Sequence, residues 1–419
     1  MRRRDFIGHL SIGAGAVFTT GIAGCQASES DSTKQIAEGV DTSQTTPETQ
    51  AGLIKKYTTI GETDLRMSDI SMGCGALDNP YVVDRALDVG INYFDTAPDY
   101  GGGGSELTLG RVLADSSKRQ KAIVTTKICE KGPYGVHLDA GVPEAEVIAA
   151  VEGTLKRIQS DYVDFLLVHA IGERENDRAR LLDSNMLSAT SKLIEQGKVR
   201  YLGVSSHGPN NFADLLITAI ESGHFAMIMP AFNFMDHPRL TEVLKKAKEH
   251  DVGVVAMKTM AGAREEDLSK FQTGETSLAE AAFKWVFTHP EVNGLVVTMR
   301  NTSQVEEYAS ASGKRFSSVD KEVLDAYATS VWSSYCRTGC GDCQAQCPHG
   351  VSIADILRYD MYFASYGEHL KALKEYRKLP HAQRPYACVN CDGPCTSGCQ
   401  FNLPVRDRLL EASQRLELA

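Results

Sequence analysis

The stretch Phe94-Asp95-Thr96-Ala97-Pro98-Asp99-Tyr100-Gly101 ends an apolar run and is followed by three more glycines and by Ser105-Glu106. The apolar run has the length of a buried strand, and the proline and glycines predict a loop. Ser105 is a suitable N-cap for a helix after that loop. In parallel α/β folds, such loops carry the functional residues. Asp95 and Tyr100 are therefore the first candidate functional side chains.

The sequence between Lys56 and Ala328 repeats this alternation of strand and helix. Apolar, β-branched-rich runs predict eight buried parallel strands at residues 70–74, 91–94, 122–128, 163–168, 201–204, 227–232, 253–257 and 294–299. Amphipathic segments of helical length lie between them, among them residues 146–158, 186–195, 238–249 and 278–287. Eight strand–helix units predict a (β/α)8 barrel, also called a TIM barrel. A doubly wound sheet is the alternative, but no GxGxxG motif opens the first strand–helix turn.

Polar residues stand at the C-terminal ends of seven of these strands. That end is the face where (β/α)8 enzymes keep their active sites. Packing alone does not explain so many polar residues at one face, and they predict an active site there. They are Asp95, Lys127, His169, Ser205, Asn233, Lys258 and Arg300.

Four segments resemble the signature of the aldo-keto reductase superfamily in their order and spacing. They are Phe94-Asp95-Thr96-Ala97-x-x-Tyr100-Gly101 with Ser105-Glu106 and Gly110, Thr126-Lys127, Leu167-Val168-His169 and Gly203-Val204-Ser205. The resemblance covers the whole barrel segment. It implies an oxidoreductase that reduces the carbonyl of an aldehyde, ketone or sugar by hydride transfer from a nicotinamide cofactor. The family's catalytic tetrad falls on Asp95, Tyr100, Lys127 and His169.

The chemistry of the four side chains suits that reaction. Carbonyl reduction needs a proton for the developing alkoxide, and a phenol with a pKa near 10 is a weak acid at neutral pH. A lysine ammonium beside Tyr100 is expected to lower the pKa of the phenol. Asp95 would keep Lys127 charged and oriented, and His169 would donate to the carbonyl oxygen or position it.

The resemblance also implies where the nucleotide binds. Ser205 and Asn233 would hold the nicotinamide carboxamide, and Lys258 lies where many members stack an aromatic ring on the nicotinamide. A cationic Arg300 near a helix N-terminus suits a 2′-phosphate, so we expect NADPH rather than NADH. The adenosine end would meet the segment that contains Met299, Arg300, Asn301, Gln304 and Glu307.

Eight of the eleven cysteines lie in two sets near the end of the chain. Their spacing, with Pro348 after the fourth cysteine, resembles the bacterial ferredoxin run, in which that fourth cysteine ligates the other cluster. The resemblance implies two [4Fe-4S] clusters. One would be held by Cys336, Cys340, Cys343 and Cys399, and the other by Cys388, Cys391, Cys395 and Cys347.

Two other uses of eight cysteines are open. Two zinc sites would need as many thiolates, and an exported protein could form four disulfides, although the Cys-Pro pair and the close triplets have no purpose in disulfides. Helical spacing between Ile353 and Leu379 predicts that this small ferredoxin-like domain is all-helical. Cys74 and Cys129, in contrast, are expected to be buried apolar residues of two barrel strands.

The N-terminus predicts export. Arg2-Arg3-Arg4-Asp5-Phe6-Ile7 resembles the twin-arginine motif, and Ile22-Ala23-Gly24-Cys25 resembles a lipobox. Lipidation of Cys25 would anchor the protein at the outer side of the cytoplasmic membrane. The alternative is a plain signal peptide that contains a cysteine, which would give a periplasmic protein. The net charge of -10 argues against binding to nucleic acid.

The predicted organisation has four parts: a signal peptide at 1–25, a disordered linker at 26–55, the barrel at 56–329 and the cluster domain at 330–419. The expected partners are a small-molecule carbonyl substrate and a redox partner protein, with membrane contact only through a lipid anchor. The alternative function is an exported iron–sulfur electron-transfer or redox-sensing protein whose barrel binds nucleotide with little turnover.

Overall fold

The computed structural model describes residues 52–130, 132, 137–174, 177–235 and 239–418, and Gly52–Ala419 forms one compact unit. The predicted export segment with Cys25, and the predicted linker up to residue 51, lie outside the described residues. None of the helices in the described ranges is both long enough and apolar enough to cross a membrane.

Eight parallel strands, β3 to β10, close into a barrel in which β10 pairs with both β3 and β9. The predicted (β/α)8 barrel is confirmed. The doubly wound alternative is wrong because such a sheet has open edges, whereas this one is closed. The strands are β3 Ile70–Gly73, β4 Tyr93–Asp95, β5 Ile123–Ile128, β6 Val163–Ile171, β7 Val199–Ser206, β8 Met227–Pro230, β9 Gly253–Ala256 and β10 Gly294–Thr298.

Helices surround the barrel, and their apolar faces pack with the strands in the main hydrophobic core. Four of them, α4, α6, α8 and α10, match the predicted amphipathic segments to within two residues. The helices are α1 Pro80–Asp88, α2 Gly104–Leu113, α3 Ser116–Arg119, α4 Glu144–Ile158, α5 Asp177–Leu181, α6 Ser184–Glu195, α7 Phe212–Ser222, α8 Arg239–Glu249, α9 Glu265–Lys270, α10 Leu278–Val286, α11 Thr302–Ala309 and α12 Ser318–Val331.

An antiparallel hairpin, β1 Tyr57–Thr59 and β2 Arg66–Ser68, precedes the barrel and is not predicted by the sequence pattern. Its apolar residues, such as Ile60 and Met67, pack with interior residues near the starts of the strands, such as Tyr93. The hairpin therefore closes the N-terminal end of the barrel. The other end is the mouth, where the predicted site residues lie.

The loop after β4 is shaped by its glycines. Tyr100–Gly103 forms a 3-10 turn, in which Gly101 and Gly102 have φ values of 57° and 62°. Side chains rarely allow such values. Gly103, with a φ of 88°, is the N-cap of α2, so the prediction of Ser105 as the N-cap is wrong. Ser105 Oγ instead donates to the Cys74 carbonyl oxygen at 2.8 Å and ties the start of α2 to the end of β3.

The C-terminal region, here called the tail, follows α12. It contains α13 Ile353–Ala364, α14 His369–Lys378, α15 Pro394–Ser397 and α16 Val405–Leu418. No strand occurs among its described residues, as the helical spacing predicts. The tail has a hydrophobic core of its own, which includes Ile356, Tyr362, Leu373 and Leu409.

Candidate active site

Lys127 and Asp95 form a buried ion pair at the mouth of the barrel, at the ends of the neighbouring strands β5 and β4. Lys127 Nζ donates to the two Asp95 carboxylate oxygens, at 2.7 and 2.8 Å, and to the Thr96 carbonyl oxygen at 2.8 Å. The two side chains are only 2% and 7% exposed. Because the three ammonium protons meet these three acceptors, the lysine is held in one position with its charge compensated.

Tyr100 lies against this ion pair. Lys127 Nζ is 4.7 Å from the centroid of the Tyr100 ring, and the Tyr100 and His169 ring centroids are 6.3 Å apart, edge to face. The net shift in the pKa of Tyr100 is upward, opposite to the lowering expected beside a lysine. Burial raises the pKa of the phenol well above its usual value, and the negative charges of Asp95 and Asp99 raise it further. Burial is the largest of these effects.

His169 is buried in a polar surrounding. Burial lowers the pKa of its imidazole, and the nearby His137 lowers it further, so the ring is neutral at physiological pH. Arg180 Nη2 donates to the His169 carbonyl oxygen at 2.8 Å and fixes the backbone there. A neutral imidazole keeps one N–H, which is the group needed to donate a hydrogen bond to a carbonyl oxygen.

The residues predicted for the adenosine end lie around the start of α11. Arg300, Asn301 and Glu307 are exposed. Gln304 Oε1 accepts the Arg300 N–H at 2.8 Å, and Asn301 Oδ1 accepts the Gln304 N–H at 2.9 Å. Met299, in contrast, is buried in the main hydrophobic core. The exposed Arg300 guanidinium is therefore the group in this segment that suits a phosphate.

The residues predicted for the nicotinamide end already have protein partners. Asn233 Nδ2 donates to the Lys258 carbonyl oxygen at 3.2 Å and to the Tyr335 hydroxyl at 3.1 Å, and Asn233 Oδ1 accepts the Met235 N–H at 2.9 Å. Ser205 Oγ accepts the Ala170 N–H at 2.9 Å. This half of the predicted nucleotide site therefore does not fit a carboxamide unless Tyr335 moves away.

Lys258 faces two tyrosine rings of the tail. Its Nζ is 4.8 Å from the Tyr362 ring centroid and 4.9 Å from the Tyr366 ring centroid. Burial and the charge of Lys371 lower the pKa of Lys258 to about 7. Its φ of 55° is uncommon for a residue with a side chain. The end of β9 thus holds a strained and largely buried lysine in contact with the tail.

The tail reaches the mouth of the barrel, which the sequence pattern does not predict. The Tyr362 hydroxyl lies 3.2 Å from His207 Nδ1, and Glu368 is close enough to contribute to the raised pKa of Tyr100. The spacing of Tyr362 and Tyr366 on one helix signals an aromatic face. It does not show which surface that face meets.

None of the described cysteines forms a disulfide. The eight tail cysteines sort into two sets by their effects on one another. After burial, Cys336, Cys340 and Cys399 raise the pKa of Cys343, with a smaller effect from Cys395. Burial and then Cys347, Cys395 and Cys391 raise the pKa of Cys388 to about 11. The structure thus gathers Cys336, Cys340, Cys343 and Cys399 in one set, and Cys347, Cys388, Cys391 and Cys395 in the other. Outside the tail, Cys74 and Cys129 are buried, as predicted.

Comparison with known proteins supports the reading of the barrel. Residues 78–270 match the model of the Aldo/keto reductase family. The oxidoreductase YqkF of Bacillus subtilis is 29% identical over 205 residues, which cover 47% of this chain and 62% of that protein. L-galactose dehydrogenase of Arabidopsis thaliana is 26% identical over 284 residues, 60% of this chain and 86% of that protein.

Solved structures show the same fold. The aldo-keto reductase AKR11C1 of Bacillus halodurans superposes with a TM-score of 0.54 at 24% identity, over 64% of this chain and 95% of that one. The match to the family model ends before the tail, whose cysteines lie outside it.

Proposed function

We propose that this chain, of which residues 78–270 match the model of the Aldo/keto reductase family, reduces the carbonyl of an aldehyde, ketone or sugar with NADPH, and that Tyr100 is the proton donor. The observation that carries this proposal is the buried Lys127–Asp95 pair in contact with the Tyr100 ring. A purely structural ion pair would have no need of a phenol and a neutral imidazole at the same strand ends.

Each residue of the tetrad has a defined part in this chemistry. The Tyr100 phenol keeps its proton throughout the physiological range because its pKa is raised, so it is available as an acid. His169 donates from a neutral ring to the carbonyl oxygen. Lys127, fixed by Asp95, stabilises the negative charge that remains on Tyr100 after the proton has left. Bound NADPH would supply the hydride.

The two directions of the reaction need different protonation states of Tyr100. Reduction uses the protonated phenol, whereas oxidation of an alcohol needs the phenolate as a base. Burial and the charges of Asp95 and Asp99 disfavour the phenolate.

Two features support the assignment of the tail cysteines to two [4Fe-4S] clusters. The first is the grouping of the thiols, four to a set, with the fourth member exchanged between the sets. The second is their separation. A single zinc ion holds its thiolates within about 4 Å of one another, because each Zn–S bond is about 2.3 Å long. No three tail cysteines in the described ranges have their sulfur atoms all within 4.8 Å of one another. A larger cluster suits that spacing better than zinc does.

Aldehyde-dependent oxidation of NADPH by the purified protein tests the proposed reaction. Tyr100→Phe should lower kcat by about 10²–10⁴-fold, since it removes the proton donor. Tyr81→Phe, an exposed tyrosine on α1, is the matched control and should leave kcat unchanged. A Tyr100→Phe variant with full activity would show that the general-acid role is wrong.

Iron and acid-labile sulfide, measured without oxygen, test the clusters. Two clusters require roughly eight of each per chain. Zinc without sulfide would refute the assignment. The export route and an anchor at Cys25 are further proposals that rest on the sequence, and labelling with a fatty acid in cells would test the anchor.

The contact between Tyr335 and Asn233 favours a second candidate function. Tyr335 directly precedes the cluster cysteine Cys336, and its hydroxyl accepts from the group expected to bind the carboxamide. This hydrogen bond links the predicted nucleotide site to the cysteine region. Such a link suits a protein that binds nucleotide with little turnover and acts in electron transfer or redox sensing. Rapid turnover of NADPH with a simple aldehyde would exclude this alternative. Tight nucleotide binding without turnover would support it.

A further inference from the structure

Three side chains with metal-binding atoms meet at the mouth of the barrel, and one of them, His169, belongs to the tetrad. Asp99 lies in the loop after β4, Cys129 directly follows β5 and His169 lies in β6, so three neighbouring strands supply one residue each. A carboxylate oxygen, the Cys129 Sγ and a ring nitrogen of His169 all lie within 4.8 Å of one another. Each of the three residues is at most 2% exposed. No other His, Cys, Asp or Glu side chains in the described part of the chain form such a group.

The surroundings of Cys129 differ from those of the other buried barrel cysteine. Cys74 belongs to the main hydrophobic core, as a free buried cysteine usually does. Cys129 is as well buried, with 1% exposed against 0%. It nevertheless belongs to none of the four hydrophobic clusters that the described residues form. Its thiol is close to a carboxylate and an imidazole instead. Apolar packing therefore explains Cys74 but not Cys129.

We propose that Asp99, Cys129 and His169 bind one zinc-class divalent cation at the mouth of the barrel. Zinc accepts oxygen, sulfur and nitrogen ligands together, and zinc sites with three protein ligands keep a fourth position open for water or another small molecule. Calcium and magnesium prefer ligands that are all oxygen, so this set does not suit them. A thiolate and a carboxylate would balance the two positive charges of the cation.

Contacts behind the three ligands hold them in place. His137 pairs with Cys129 through a backbone bridge, and its ring meets the His169 ring edge-on with the centroids 4.5 Å apart. His137 Nε2 lies 3.2 Å from Glu173 Oε2, and Arg180 fixes the His169 backbone. Outer contacts of this kind orient metal ligands. The three ligand atoms are therefore close together before any cation arrives.

A cation at this position would interfere with the proposed reaction. The His169 nitrogen that coordinates it has no hydrogen to donate, and Asp99 is the residue before the proton donor Tyr100. Zinc is therefore expected to inhibit carbonyl reduction. This effect on activity rests on the proposed function, whereas the binding of the cation does not.

The zinc content of the full chain tests the proposal. The protein is isolated without oxygen so that the tail cysteines keep the clusters or metal ions that they bind. After exposure to Zn²⁺ and removal of the excess, the wild type and the matched control Cys74→Ala should each retain one zinc. Cys129→Ala and Asp99→Asn should lose it. Circular dichroism and iron content, the same in all four proteins, would show that they are folded. A Cys129→Ala protein that retains the zinc would overturn the proposal, as would a wild type that binds none.

X-ray absorption at the zinc edge of the wild type locates the metal without any substitution. We expect one sulfur at about 2.3 Å, with nitrogen and oxygen at about 2.0–2.2 Å. A shell of four sulfurs would place the zinc on the tail cysteines and overturn the proposal. Zinc should also inhibit the wild type more strongly than Cys129→Ala. A wild type that has no reductase activity when free of zinc, and that then binds zinc at this site, would refute the proposed function and leave the metal site intact.

Discussion

Replacing Lys127 with methionine tests the ion pair on which the site is built. Methionine keeps an apolar stem of similar length but leaves the Asp95 carboxyl buried without a cation. Removing one partner of a buried pair costs about 3–5 kcal/mol, and solvent does not reduce this figure because the side chains are 2% and 7% exposed. With an unfolding entropy of roughly 2 cal/mol/K per residue over Gly52–Ala419, the Tm should fall by about 4–7 °C.

The loss of stability in Lys127→Met should be larger at high pH than at low pH. Burial raises the pKa of Asp95 in the wild type, and Lys127 opposes that rise. Without the lysine, the pKa rises further. A carboxyl group whose pKa is higher in the folded than in the unfolded state makes its full contribution to stability below the unfolded-state pKa, which is about 4. That contribution is lost as the pH rises through the folded-state pKa. Lys127→Met should therefore be closer to the wild type at pH 5 than at pH 8.

Thermal unfolding followed by circular dichroism at both pH values provides the measurement. The double variant Asp95→Asn/Lys127→Met also removes the buried carboxylate that has lost its cation, and it should recover part of the decrease in Tm. Lys321→Met is the matched control, because Lys321 pairs with Asp325 at the surface and should change the Tm by less than about 1 °C. Equal losses at the two pH values, or a double variant no more stable than Lys127→Met, would refute the reasoning.

Three further predictions concern the nucleotide and the proton donor. Arg300→Ala should raise the KM for NADPH about tenfold with little change for NADH, since it removes the exposed cation that suits a 2′-phosphate; equal effects on both nucleotides in steady-state kinetics would contradict this. Tyr335→Phe should tighten NADPH binding in a fluorescence titration, because it removes the hydroxyl that occupies Asn233; weaker binding would show that the two do not compete. Because the pKa of Tyr100 is raised, loss of the phenol proton should not lower kcat at any pH below about 10, the usual pKa of a tyrosine. A fall in kcat centred near pH 8 would contradict this.

The sequence predicts the barrel because its strands are buried on both faces and therefore read as continuous apolar runs. Asp95, Lys127 and His169 can be placed with the strands, since each lies at or near a strand end. The predicted cap at Ser105 fails because a glycine with positive φ takes that place. The pKa of Tyr100 cannot be read from the sequence, because it depends on burial and on Glu368, which is distant in the chain.

The position of the tail could not be predicted for a related reason. The pattern of α13 shows that one face of the helix is apolar and aromatic, but an amphipathic pattern does not name the surface that the face meets. That surface is settled by contacts far apart in sequence, such as Tyr335 with Asn233 and Tyr362 with His207. These contacts alone bring the tail to the residues predicted to hold the nicotinamide.

The exchange of the fourth cysteine between the two sets bears on how the protein is made. Translation completes the second set at Cys395, whereas the first set, which begins at Cys336, waits for Cys399. A chain that stops between these two cysteines would carry one full set and one set of three thiols. Under the proposed cluster assignment, only chains that extend past Cys399 would have four thiols in both sets.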